Sequence, residues 1–152
     1  MKKNLLQADV KAELSGRIKN LRPDSKKLWG KMNVNQMMKH CLDGISVAYG
    51  DIKVTPKQTG WFHNKMVRFF ILHTDMQAPK EKTPTYPELN MVEQGINPDN
   101  FEQLKEQLEK AVQGFPTKRT LAVHPFLGPF SEANWARMMY THLIHHLAQF
   151  GV

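Results

Sequence analysis

Apolar residues recur at the helical period in four stretches of this chain, and no stretch shows the sustained alternation of a half-buried strand. Leu6, Val10, Leu14 and Ile18 stand one turn apart. They predict a helix from about Asn4 to Asn20, broken by Pro23-Asp24-Ser25. Val34, Met37, Met38, Cys41, Ile45 and Ala48 form the stripe of a second helix, with Asn33 or Asn35 as N-cap and Gly50 as its stop. Asn97-Pro98 reads as the cap and first residue of a third. Its narrow face is Phe101, Leu104, Leu108, Ala111 and Val112, and Gly114 closes it. Ser131 caps a fourth, with Phe130 and Trp135 at the positions of a hydrophobic staple. Trp135, Met138, Met139, Leu143 and Leu147 carry its apolar face towards the chain end.

Four amphipathic helices predict an all-α fold, a four-helix bundle, and 152 residues suit a single domain (1–152) with one core. The connection between the second and third helices, residues 51–96, is too long for a plain loop and should carry structure of its own. Within it, Trp61 to His73 reads as a short extra helix. Phe62, Met66, Phe69 and Phe70 run along one side, Lys65 and Arg68 along the other. Such a helix can lie on a membrane surface or pack over a bundle, and its few basic residues favour packing. The stretch from Gln77 to Pro87, with three prolines, reads as irregular crossover.

The net charge of +7 raises the question of nucleic acid. The basic residues scatter, however, as Lys2/Lys3, Lys26/Lys27, Lys80/Lys82 and Lys118/Arg119, and no recognition helix, aromatic RNA-binding motif or zinc finger accompanies them. A solvated basic surface that favours anionic small molecules is the better reading, with nucleic acid not expected as a partner. Cys41 is the single cysteine, which excludes an intrachain disulfide framework and a multi-cysteine zinc site. No apolar run approaches the ~20 residues of a membrane span. The two lysines near the start have no apolar segment behind them. A soluble cytoplasmic protein with no membrane partner is the expectation.

The candidate chemistry lies in the last helix, in Tyr140-Thr141-His142-Leu143-Ile144-His145-His146-Leu147-Ala148-Gln149. His142 and His146 are four apart and share one face, where they interrupt apolar positions. Neutral imidazole is the commonest metal-binding side chain, and such a pair is half of a site. His145 projects towards the polar flank, so it is the weaker ligand candidate and equally well a surface histidine. His40 lies at the edge of the second helix's stripe, with Gly44 one turn on leaving space beside it. Were the second and fourth helices neighbours, His40 would meet the pair. Packing or capping is the commoner use of isolated histidine pairs.

The pattern Trp29-Gly30-Lys31-Met32-Asn33, Met37-Met38-Lys39-His40, Asp43, then His124-Pro125-Phe126-Leu127-Gly128-Pro129-Phe130-Ser131, and finally His142, His146 and Gln149-Phe150-Gly151 resembles the DinB-like superfamily. More narrowly, it resembles the domain-of-unknown-function subfamily DUF1569. The resemblance spans most of the chain and is weakest over residues 51–96. It implies a four-helix bundle with a long crossover and a three-histidine divalent metal site whose ligands fall on His40, His142 and His146. Relatives often form homodimers, and characterised ones include metal-dependent transferases and an isomerase that use low-molecular-weight thiols.

Three neutral histidines would leave open coordination positions, as catalytic sites do. Residue 143 is leucine, so this is not the His-Glu-x-x-His arrangement of metalloproteases. Asp43, near His40, is a candidate base or imidazole acceptor, or simply an exposed salt-bridge partner. Gln149 is a candidate for bonding a bound water or capping the helix end. Cys41, in the middle of a stripe, reads as buried and inert. The leading expectation is a divalent-metal-dependent thiol S-transferase or hydrolase acting on a small molecule, with Zn, Ni, Fe or Mn as the ion and a low-molecular-weight thiol as a further cofactor. The alternatives are a non-enzymatic bundle, a stress or interaction module with structural histidines, and a weak nucleic-acid binder. The roles of His145, His124 and the crossover stay open.

Overall fold

In a computed structural model, which describes residues 2–55, 60–74, 85–117 and 119–152, the chain is all-helical. Its α-helices are α1 (Ala8–Lys19), α2 (Val34–Tyr49), α3 (Trp61–His73), α4 (Phe101–Gly114) and α5 (Glu132–Ala148), with a 3-10 turn at Pro87–Leu89. Among the described residues there is no strand, only an isolated bridge between His124 and Gly128.

Local chemistry explains most of the boundaries. Asn33 caps α2 in a reciprocal box: its side chain accepts from the Gln36 amide while the Gln36 side chain accepts from the Asn33 amide. Gly50 ends that helix at φ 77°, a left-handed conformation costly for a residue with a Cβ. Ser131 caps α5 by accepting from the Asn134 amide, and the Phe130 and Trp135 rings meet edge-on at 5.4 Å, the predicted staple.

Two starts differ from the sequence expectation. α1 begins at Ala8 rather than near Asn4, because the Asn4 side chain accepts from the Leu6 amide and holds a turn instead. α4 begins at Phe101, not at Asn97-Pro98. Asn97 accepts from the Asn33 side chain at 2.7 Å and the Pro98 carbonyl accepts from Asn35 at 2.9 Å, so this pair braces the start of α2.

α1, α2, α4 and α5 share one hydrophobic core, which includes Leu14, Ile18, Met37, Cys41, Leu108, Val112, Trp135, Leu143 and Leu147. α2 packs against both α4 and α5, and α1 against the same two. The contact between α2 and α5 is the one on which a site joining His40 to the closing helix depends. The 3-10 turn packs on α2, and α3 packs on α5. The buried Arg137 guanidinium holds α3 in place by donating to the carbonyls of Ile71, Thr74 and Lys3. The Gln77–Pro87 stretch read as irregular crossover lies mostly outside the described residues. No helix among the described residues is long and apolar enough to cross a membrane.

Candidate metal centre

The capping box fixes the register of α2, and that register turns His40 towards α5. His142 and His146, one turn apart on α5, point back at it. The ring centroids lie 4.9 Å apart for His40–His142, 4.6 Å for His40–His146 and 4.5 Å for His142–His146. One nitrogen from each ring falls within 4.8 Å of the other two. Among the described residues, no other group of three His, Cys, Asp or Glu side chains converges in this way.

The outward nitrogens decide what the inward ones present. His40 Nδ1 lies 3.0 Å from the Leu89 carbonyl, which only accepts, so Nδ1 carries the proton and Nε2 a bare lone pair. His146 Nδ1 lies 2.7 Å from Gln149 Oε1, an acceptor as well, so His146 Nε2 is also bare. His142 Nε2 sits 3.0 Å from His40 Nε2, and His142 Nδ1 is buried without a hydrogen-bond partner among the described residues. One proton cannot satisfy both nitrogens of that neutral ring. On Nε2 it bonds His40 and leaves Nδ1 an orphaned acceptor. On Nδ1 it leaves two lone pairs facing each other. A cation held by the inward-facing nitrogens, which lie within 4.8 Å of one another, would relieve the facing lone pairs of the second arrangement. The three residues fit a divalent metal.

Burial supports the same state. It pushes the imidazoles of His40, His142 and His146 below the usual histidine range, and for His142 the neighbouring His146 and His40 add to the effect. Neutral rings are what a metal requires. The close packing continues outwards. A Cβ on Gly44 would meet His142 Cε1 at 3.1 Å and Nδ1 at 3.3 Å, so Gly44 makes room for His142 rather than for His40. Gly30, at φ 83°, lies against Gln149, where a Cβ would approach Nε2 to 2.8 Å. The Leu28 amide donates to the Gln149 carbonyl. The loop before α2 thus backs the residue that orients His146.

Asp43 is buried beside His40, but its carboxylate pairs with Lys39 Nζ at 2.5 Å. It acts on His40 through space, favouring the protonated ring, while the direct acceptor is Leu89. Gln149 bonds His146 itself. His145 is half-buried, stands edge-on to Trp29 with centroids 6.3 Å apart, and lies outside the converging set. His124 has a different office. It is buried among Phe126, Phe130 and Trp135, and its Nδ1 accepts from the Leu127 amide at 3.2 Å, which closes the His-Pro-Phe turn. Burial holds the Cys41 thiol far above its usual range, so it stays protonated and inert.

Sequence reasoning missed the Leu89 carbonyl, because a backbone acceptor leaves no side-chain signature. The contact of Gly30 with Gln149 joins residues far apart in the chain and has no local signal either. A surface cavity of ≈ 470 Å³ bordered by Lys19, Arg22, Phe101 and Lys105 contains none of the three histidines.

No curated protein and no solved structure matched the chain. The model of a family described as a protein of unknown function, DUF1569, matches residues 1–151. The chain therefore belongs to the DUF1569 family.

Proposed function

We propose that this protein is a divalent-metal-dependent enzyme of DinB-like type, acting in the cytoplasm on a small molecule as a thiol S-transferase or a hydrolase. The four-helix-bundle reading, with residues 51–96 as crossover, belongs to the same proposal. One observation carries it: three neutral imidazoles converge, those of His40 and His146 buried and that of His142 half-buried, and on His40 and His146 the outer nitrogens are tied to acceptors that leave an Nε2 lone pair facing inward. A structural site closes all four positions with protein ligands, whereas three protein ligands leave room for a reactant. When bound, a divalent ion supplies Lewis acidity to an oxygen or sulfur donor placed beside it.

The chain's own groups do the rest. Leu89 and Gln149 hold two rings in a fixed tautomer and orientation. Asp43 is the nearby carboxylate able to hold a proton. Its carboxylate is paired with Lys39, whose side chain reaches the surface. Leu143, Leu147 and Trp135 of the same helix are buried in the shared core, which anchors α5.

The test is reconstitution of metal-free protein with Zn, Ni, Fe(II) or Mn, followed by assays of thiol transfer to an electrophile and of ester and amide hydrolysis. Turnover that needs the ion and disappears in His40→Ala supports the proposal. Tight metal binding with no turnover in any of these assays contradicts it and leaves a metal-binding module.

A further inference from the structure

The apolar pattern of Trp61–His73 fits a helix that turns its aromatic side to the core, yet no residue of α3 is buried. Its contact with the rest of the protein is made by the opposite side, where Asn64, Val67, Arg68, Ile71 and Leu72 are half-buried. Arg68 reaches inward and donates to the carbonyls of Leu127 and Pro129 at 2.7 and 2.8 Å. The outer side carries the large apolar groups, with Trp61 70%, Phe62 74%, Met66 44%, Phe69 56% and Phe70 39% exposed. Scattered apolar residues are normal on a surface, but five within ten residues on one helix face form a contiguous patch.

We propose that α3 is an interfacial helix that seats this protein on an anionic lipid bilayer, its outer face entering the headgroup boundary. Charge selects this occupant. Between Trp61 and Thr74 there is no Asp or Glu, while Lys65 lies amid the exposed aromatics with its ammonium 3.8 Å from the Trp61 ring centre. A lysine lying along an aromatic surface with its charge at the rim is how such helices meet phosphate headgroups. Arg137 ties the Lys3 carbonyl to those of Ile71 and Thr74, which sets the Lys2-Lys3 pair beside the C-terminal end of α3. Both lysines are exposed, although Lys3 also pairs with Glu13. The net charge of +7 draws the whole chain towards an anionic surface. A second copy of α3 would offer Lys65 no carboxylate and oppose like charges. The inference reverses the expectation of no membrane partner, and it rests on which face of the helix points out, a matter the sequence does not decide.

The experiment is co-sedimentation of the full chain with vesicles of phosphatidylcholine alone and of phosphatidylcholine and phosphatidylglycerol in equal parts. Wild type is expected to sediment with the mixed vesicles at low salt, less at high salt, and to stay in solution with phosphatidylcholine alone. The double variant Phe62→Ser/Phe69→Ser should lower partitioning roughly a hundredfold and Lys65→Ala about fivefold. Both should keep the wild-type circular dichroism, because these side chains are exposed. Wild type left in solution with both vesicle types, or a double variant that partitions as well as wild type, overturns the proposal. So does a double variant that turns a dimer into a monomer in sedimentation velocity without lipid, which would assign the face to a second copy.

Discussion

Adding one methyl group at residue 44 tests the packing of the candidate site. Gly44 lies inside α2 in ordinary helical conformation, so its backbone accepts alanine, and helix propensity alone makes Gly44→Ala stabilising by about 1 kcal/mol. The new Cβ, however, would stand 3.1 Å from His142 Cε1, against an ordinary carbon–carbon contact of about 3.5–4.0 Å. The imidazole must retreat by roughly 0.5 Å, and overpacking of this kind costs about 1–3 kcal/mol. The single variant should therefore be between neutral and about 2 kcal/mol less stable than wild type in metal-free buffer. With His142→Ala in the background the obstacle is gone, and the same substitution should stabilise by about 1 kcal/mol. Urea unfolding of the four proteins of this cycle measures a coupling of about 1–3 kcal/mol. Metal affinity, followed by calorimetric titration, should fall about 10–100-fold in Gly44→Ala, as it does when the support of a ligand is disturbed. Effects additive within about 0.5 kcal/mol, together with unchanged affinity, would refute the contact.

Other consequences follow from the same contacts. Gln149→Leu removes the acceptor on His146 Nδ1 and should weaken metal binding about 10–100-fold with little change in helix content, as measured by titration and circular dichroism. Gly30→Ala meets both a left-handed φ and the 2.8 Å approach to Gln149, and should cost about 1–3 kcal/mol in denaturant unfolding and weaken the metal as well. His124, whose burial beside Arg68 lowers its pKa to about 4, takes up its proton in the unfolded chain first. Stability it contributes at neutral pH is lost as pH falls from about 6.5 to 4, reaching about 2 kcal/mol by pH 5. His124→Gln should unfold more easily at pH 7 yet lose about 2 kcal/mol less than wild type between pH 7 and 5; parallel losses in the two proteins would contradict this. Ser131→Ala should cost about 1 kcal/mol through loss of the α5 cap.

Much of the helical plan was legible because its signals are local. The stripe of α2, its cap at Asn33 or Asn35, the Ser131 cap and the Phe130–Trp135 staple are all written within a few residues of where they act, and the structure selects Asn33 through its box with Gln36. The starts of α1 and α4 were not, because Asn4 and Asn97 spend their side chains on a turn and on the start of α2. The meeting of His40 with His142 and His146 was legible from two facts, the shared face of the pair and the placement of His40 beside its stripe. The resemblance to a known family sharpened it. Leu89 was illegible, since it contributes a carbonyl from a crossover that no periodicity places. The orientation of α3 was illegible for a related reason. The pattern distinguishes its two faces, but the carbonyls of Leu127 and Pro129 that draw Arg68 inward lie far along the chain.

The central claim is that His40, His142 and His146 hold one divalent ion. Metal analysis of protein purified without an affinity tag and without added metal tests it most directly, on wild type and on His142→Ala and His146→Ala. The account predicts about one ion per chain in wild type and almost none in either variant that keeps its fold, as three-ligand coordination requires. Wild type with only trace metal, or variants that retain the full complement, would contradict it.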